Sequence, residues 1–180
     1  MPDADPRPLV EWLSPSKRQA LFSLYRYFEW ADDMRRMYLH LLSESPIGQK
    51  RAAGVTAEEA FELAKADPAF KQSVVSVLYA FPYMAYYYAG MFVVIEAWTG
   101  RLKYHDPEID DLLRSRFVAT LKEYRNASFH FSPQYFDSRM QVFLNEPDSE
   151  VWLGDLHAAF ARWFRFHLKL RPHEGPGRSQ

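Results

Sequence analysis

Apolar and polar residues follow a helical period over the first quarter of the chain. Ser14 followed by Pro15 is a typical helix start, because serine caps a free backbone N–H and proline fits the first helical position. Asp32 and Asp33 fall between the apolar positions and are typical of a solvated face. The apolar positions recur every three or four residues: Leu21, Leu24, Tyr25, Phe28, Ala31, Met34, Tyr38, Leu41 and Leu42. This pattern predicts one amphipathic helix from Pro15 to about Ser43.

The next strong signal is a run of 23 residues without a charge, from Ser73 to Ile95. About 20 apolar residues are enough to cross a bilayer. However, five tyrosines bring hydroxyl groups into the run, Pro82 and Gly90 interrupt it, and no Lys/Arg cluster flanks it. These features favour a buried central helix, kinked near Pro82, over a membrane span, so we expect no membrane contact.

Shorter elements surround this central helix. Gly100 is expected to end it, and a break is expected near residues 114–116. Residues between Pro133 and Pro147 predict a short helix or a packed loop. Helix starts are signalled by capping residues beside proline, serine or glutamate. They lie at Thr56–Glu59, Asp67-Pro68, Asp106-Pro107 and Asp148-Ser149.

The last helix carries a near-heptad apolar stripe, which predicts that it packs along the core. The stripe consists of Leu153, Leu156, Phe160, Trp163, Phe164, His167 and Leu170. Basic residues at its end fit either the helix dipole or a weak RNA-facing patch. The chain is therefore predicted to be all-α, an up-and-down helical bundle of about five to six helices. We expect one domain over residues 1–180, with loose tails at 1–13 and 172–180.

Composition narrows the chemistry. The net charge of −1 gives no global attraction to nucleic acid, so any RNA contact must be local. The chain has no cysteine, which excludes thiolate catalysis and disulfides and fits a cytoplasmic location. No pair of histidines has metal-ligand spacing and there is no glycine-rich phosphate loop, so neither a metal nor a cofactor is expected. The aromatic content of 17% fits either a tight core or a subunit interface.

One apolar segment also contains a guanidinium, a carboxamide and an imidazole, on Arg125, Asn126 and His130. On a helix, Asn126 and His130 would share a face because they are four residues apart. The helix should end with His130 in its last turn, because Ser132 precedes Pro133 and is pushed out of the α region. Arg and His also stand five apart at Arg35/His40 and Arg162/His167, but only the middle pair has this polar and aromatic context.

The block Arg125-Asn126-Ala127-Ser128-Phe129-His130, an Arg, a polar residue, three intervening residues and a His, resembles the signature of the HEPN superfamily. The surrounding residues 93–98 and 105–110 are similar too, and the likeness covers roughly residues 70 to 145. The resemblance implies a HEPN-type bundle that acts as a metal-independent endoribonuclease in a toxin or phage-defence setting. It also implies RNA as substrate, an antiparallel homodimer whose two sites face each other, and a cognate antitoxin or nucleotidyltransferase as partner.

Roles for the motif residues follow from their chemistry. Imidazole exchanges protons near neutral pH, so His130 is the candidate base or acid. The Arg125 guanidinium would hold phosphate oxygens, and Asn126 would hold the imidazole tautomer or the ribose 2′-OH. Ser128 and Glu96 are candidate supporting residues. For Glu96, orientation of Arg125 or His130 and simple exposure at a helix end both remain open.

Two other functions fit the same residues. One is a non-catalytic HEPN-like module that binds RNA, a nucleotide or a protein partner. The other is a plain interaction or dimerisation module in which Arg125 and His130 are satisfied structural groups. If Arg125, Asn126 and His130 line a solvent-reaching cleft, a site is favoured, whereas a sealed His130 favours a structural role.

Overall fold

The computed structural model describes residues 7–44, 70–133 and 137–170, which form seven α-helices and one π-helix without a strand. The prediction of an all-α helical bundle is confirmed, with more helices than the five or six expected. The α-helices are α1 (Leu9–Trp12), α2 (Pro15–Ser43), α3 (Phe70–Glu96), α4 (Pro107–Leu112), α5 (Phe117–Phe129), α6 (Ser138–Leu144) and α7 (Ser149–His167); the π-helix spans Ala97–Leu102.

The long helices α2, α3 and α7 pack up and down around an aromatic core. α2 and α3 approach closely where Gly90 faces Ala31, since a Cβ added at Gly90 would lie 3.1 Å from the Ala31 Cβ. Any larger residue at position 90 would therefore push the two helices apart. On α7, the successive rings of His157, Phe160 and Phe164 pack against Phe28 of α2, with centroids 4.9 to 6.4 Å away.

The central helix is longer than its sequence signals indicate. α3 runs through Pro82 without ending, and instead of stopping at Gly100 the chain continues as the π-helix to Leu102. The expectation that Gly100 closes the helix was wrong; Lys103, in the left-handed conformation at φ 52°, follows the end instead. Trp98 anchors this segment, because its buried ring packs edge-on against Phe160 and Trp163.

Within the described ranges, one helical stretch, Leu78–Leu102, is long and apolar enough to span a membrane by length and composition. Half of its most apolar window is buried inside the bundle. Tyr87, Tyr88 and Met91 are among its buried residues.

Several predicted boundaries are confirmed. The Asp106 carboxylate accepts hydrogen bonds from the backbone N–H groups of Glu108 and Ile109, at 3.0 and 3.1 Å, and so starts α4. The chain then breaks between Leu112 and Phe117, as expected for residues 114–116. α6 is the short helix expected before Pro147, and α7 begins at Ser149 after Asp148.

Residues 9–13, within the loose tail predicted for residues 1–13, pack on the bundle. α1 forms within it and Leu13 is buried in the core. The backbone N–H of Leu9 donates to Nδ1 of His167 at 3.3 Å, and Glu11 pairs with Lys169, so the end of α7 holds α1 in place. Burial lowers the pKa of His167, which keeps Nδ1 available as an acceptor.

Three predictions lie outside the described residues. They are the capping box at Thr56–Glu59 with its short helix to about Ala66, the helix start at Asp67-Pro68, and the loose tail at 172–180.

Candidate functional site

Arg125 and Asn126 form the centre of the candidate site, near the end of α5. The Arg125 Nη1 donates to the Asn126 Oδ1 at 3.1 Å, in a partly buried position. The Nε of Arg125 is buried and has no hydrogen-bond partner, and no carboxylate among the described residues pairs with this guanidinium. A buried N–H without an acceptor is costly. The Arg125 guanidinium is therefore held in place by Asn126, and its Nε–H has no acceptor.

His130 lies at the same end of α5 but just beyond the helix. α5 ends at Phe129, and His130 is its C-cap with extended backbone angles, φ −112° and ψ 135°. Its backbone N–H still donates to the Asn126 carbonyl oxygen at 3.1 Å. The expectation that Asn126 and His130 share a helical face was therefore wrong, because the chain has already left the helix. The His130 side chain is exposed rather than sealed in the core.

Exposed aromatic residues flank His130 in the chain. Phe131, the next residue, is 95% exposed, and Phe129, the preceding one, is 49% exposed. Phe129 packs against Tyr86 of α3 with ring centroids 5.7 Å apart. Tyr86 is itself 56% exposed. Exposed aromatic rings are groups on which nucleic-acid bases can stack.

Of the two predicted supporting residues, Ser128 is hydrogen-bonded to its own helix and Glu96 lies away from this surface. The Ser128 hydroxyl donates to the Tyr124 carbonyl oxygen at 3.0 Å, which leaves it facing its own helix. Glu96 is exposed at the end of α3, where it lines a groove of about 400 Å³ with Tyr27 and Arg101. It stands eight residues beyond Tyr88, or about 12 Å along the helix axis. Tyr88 is the α3 residue whose ring contacts Tyr124 of α5. The structure joins the side chains of Arg125 and Asn126 and places His130 at the same end of α5, whereas Glu96 lies elsewhere.

A buried aromatic cluster fixes α5 beneath the site. Tyr124 is fully buried, with its ring 5.3 Å from Tyr88 and 5.8 Å from Phe143 of α6. Burial raises the pKa of Tyr124 far above its ordinary value, so its hydroxyl stays neutral. Because Tyr124 directly precedes Arg125, this packing sets the position of the guanidinium.

A second polar site, which no sequence pattern indicated, is a cleft between α2, α3 and α7. Its volume is about 390 Å³, and Arg35, Tyr38, Tyr87 and Glu150 are among its lining residues. Burial raises the pKa of Tyr87, although the nearby Arg35 guanidinium acts in the opposite direction. Arg35 stood among the polar residues between the apolar positions of α2, and only the packing of three helices shows that it lines a cleft.

The prediction that Asp32 lies on a solvated face was wrong, because Asp32 belongs to a third polar cluster, with His157. The Asp32 Oδ1 lies 2.9 Å from the Nε2 of His157, whose side chain is only 10% exposed. Phe28 stacks on the same imidazole at 4.9 Å. The His157 contact, opposed by partial burial, lowers the pKa of Asp32. Asp33 is exposed and pairs with Arg36, as a solvated face requires.

Across the described ranges, no three acidic or histidine side chains lie close enough to hold a metal ion. At the end of α5 the guanidinium of Arg125 contacts the carboxamide of Asn126, and the exposed His130 directly follows the helix. A guanidinium can hold an anion such as a phosphodiester, and an imidazole can move a proton.

Comparison with known proteins adds no relative, because no family model, curated protein or solved structure matches this chain. The similarity to the HEPN signature therefore depends on the motif alone.

Proposed function

We propose that the protein is a metal-independent endoribonuclease of the HEPN type. The observation that supports this most is the buried, acceptor-free Nε of Arg125, held by Asn126 one helical turn from the exposed His130. A phosphodiester oxygen bound at the guanidinium would neutralise its charge, and the buried Nε would donate to it once the side chain turns outward. Tyr86, Phe129 and Phe131 would hold the flanking bases by stacking.

The reaction is an internal transesterification. The ribose 2′-oxygen attacks the phosphorus while its proton passes to His130, and the bond from phosphorus to the 5′-oxygen breaks. The 5′-oxygen takes up a proton from solvent water, to which this exposed site is open. Arg125 stabilises the extra negative charge on the phosphoryl oxygens. The products are a 2′,3′-cyclic phosphate and a 5′-hydroxyl.

The test is incubation of the purified protein with an end-labelled mixed RNA pool in EDTA. We expect a defined set of cuts whose upstream ends are cyclic phosphates. Intact RNA at protein concentrations where the chain is folded would contradict the nuclease proposal. Cuts that appear only in a parallel reaction without EDTA would indicate a contaminating metal-dependent nuclease.

The second candidate is a non-catalytic module that binds a nucleotide, and the cleft at Arg35 favours it. A guanidinium beside three tyrosine rings, Tyr38, Tyr87 and Tyr88, matches a phosphate with an attached base. Here Arg35→Ala is expected to abolish the rise in melting temperature produced by adenosine monophosphate, while Arg125→Ala leaves it unchanged. Equal shifts for wild type and Arg35→Ala would remove this candidate.

A further inference from the structure

A groove lies beside the end of the central helix, between α2 and the π-helix Ala97–Leu102. Small side chains leave room for it, since Ala20 and Ser23 of α2 and Ala97 of the π-helix line its two sides. Its volume of about 400 Å³ is within the range of small-molecule sites. π-Helical turns are rare and often occur at functional sites. Both features make this groove a candidate ligand site.

Two opposite charges line the groove. Glu96 directly precedes the π-helix and Arg101 lies within it, and both side chains are exposed. Residues five apart, as these two are, diverge by about 140° on an α-helix. In a π-helix the hydrogen bonds join residues five apart, so such residues lie nearly above one another. The wide turn therefore brings a carboxylate and a guanidinium to the same groove.

Neither of these charges is paired in the part of the chain that the structure describes. Over residues 7–44, 70–133 and 137–170, the Glu96 carboxylate and the Arg101 guanidinium form no hydrogen bond and no ion pair, even with each other. Other exposed charges of the bundle do pair across helices, as Glu108 of α4 does with Arg162 of α7. Both groups in the groove are therefore available to a ligand.

The groove also has an apolar side and an aromatic ring. Leu24 and Val93 line it, and Leu24 is buried. The Tyr27 ring is 38% exposed and contacts Arg26, whose guanidinium lies 5.3 Å from the ring centre. A side chain that is held in place before binding loses less entropy on association. This side of the groove can accept a large apolar group.

We propose that the groove binds a free α-amino acid with a large apolar side chain. The ammonium group of the ligand donates to the Glu96 carboxylate, and its carboxylate accepts two N–H groups of Arg101. The apolar side chain of the ligand lies against Leu24 and the Tyr27 ring. A ligand with only one of the two charges leaves the other protein charge without a partner, so the groove selects a zwitterion.

This site is separate from the proposed nuclease. The described residues that line the groove include none of Arg125, Asn126 and His130, and none of them lines the cleft at Arg35. Loss of RNA cleavage therefore leaves this inference unaffected, and failure to bind an amino acid leaves the nuclease proposal unaffected.

Titration with L-phenylalanine, followed by the amide chemical shifts of the protein, tests the ligand class. We expect saturable shifts at α2 and the π-helix. Phenethylamine lacks the carboxylate and 3-phenylpropionate lacks the ammonium group, so each should bind roughly tenfold more weakly through loss of one charge-assisted contact. No shifts with millimolar phenylalanine, shifts confined to other parts of the chain, or equal binding of all three compounds would overturn the inference.

Two substitutions assign the charges. Glu96→Gln and Arg101→Gln should each weaken phenylalanine binding by roughly tenfold. Glu96→Gln should not weaken the binding of 3-phenylpropionate, and Arg101→Gln should not weaken that of phenethylamine. Arg114→Gln is the matched control and should bind phenylalanine like the wild type, because Arg114 is 76% exposed and pairs with Asp111 outside the groove. Equal phenylalanine binding by all three variants would contradict the site. Circular dichroism shows whether each variant keeps its helical content.

Discussion

Replacing His130 by alanine is expected to slow RNA cleavage by about 10² to 10⁴-fold, the range for loss of a general acid or base. RNA affinity should change little, because the imidazole is exposed and the proposed phosphate contact belongs to Arg125. Arg125→Ala should lower both affinity and rate, since it removes the charge on the phosphate as well as its stabilisation in the transition state. Single-turnover cleavage over a range of protein concentrations separates the two effects.

His105→Ala is the matched control for this prediction. Its side chain is 83% exposed and pairs with Asp110 on another part of the surface, so its cleavage rate should stay at the wild-type level. A His130→Ala variant as active as His105→Ala would show that His130 moves no proton in the reaction. Arg125→Lys offers a further comparison, because lysine keeps the charge but not the two-pronged geometry.

The largest effect on stability is expected from Asp32→Asn. This change leaves the nearly buried His157 without its carboxylate, and it also removes one partner of Arg36. Losing a hydrogen bond to a charged group costs about 1.5 to 3 kcal/mol, and we expect the lower end because the Asp32 side chain is 21% exposed. Urea unfolding measures the loss.

Asp111→Asn is the control for Asp32→Asn. Asp111 pairs with Arg114 at 2.9 Å, but both side chains are 76% exposed, so the loss should stay within about 0.5 kcal/mol. The pKa of Asp32 is lowered in the folded state, so its contribution is present above the unfolded value of 3.8 and is lost as the pH falls through the folded pKa. The difference between wild type and Asp32→Asn should therefore shrink below about pH 4. Equal losses for the two variants would contradict the role of the Asp32–His157 pair.

Local signals predicted local structure well. The Asp106-Pro107 start, the break between Leu112 and Phe117, and the start of α7 at Ser149 all depend on backbone hydrogen bonds within a few residues of the signal. The length of α2 followed from the period of its apolar residues, because that period directly reflects the buried face.

Other features depend on residues that are distant in sequence. Asp32 and His157 stand far apart, and neither has a neighbour that marks it as one of a pair, so only the packing of α7 on α2 shows the contact. The continuation past Gly100 depends similarly on the burial of Trp98 between Phe160 and Trp163, which outweighs the tendency of glycine to end a helix.

The candidate site combines both cases. The presence of Arg125, Asn126 and His130 in one segment, and the end of the helix before Pro133, were readable in the sequence. The orientation of the groups was not, because His130 leaves the helix one residue earlier than expected and Asn126 turns to Arg125.

The most direct test of the nuclease proposal uses an RNA with a single 2′-deoxynucleotide at a cut site mapped in EDTA. If Arg125 and His130 direct the ribose 2′-oxygen onto the phosphorus, this site should resist cleavage while other cut sites in the same RNA are cleaved as before. Cleavage of the deoxy site at the rate of the all-ribose RNA would mean that water is the nucleophile, and would contradict the mechanism.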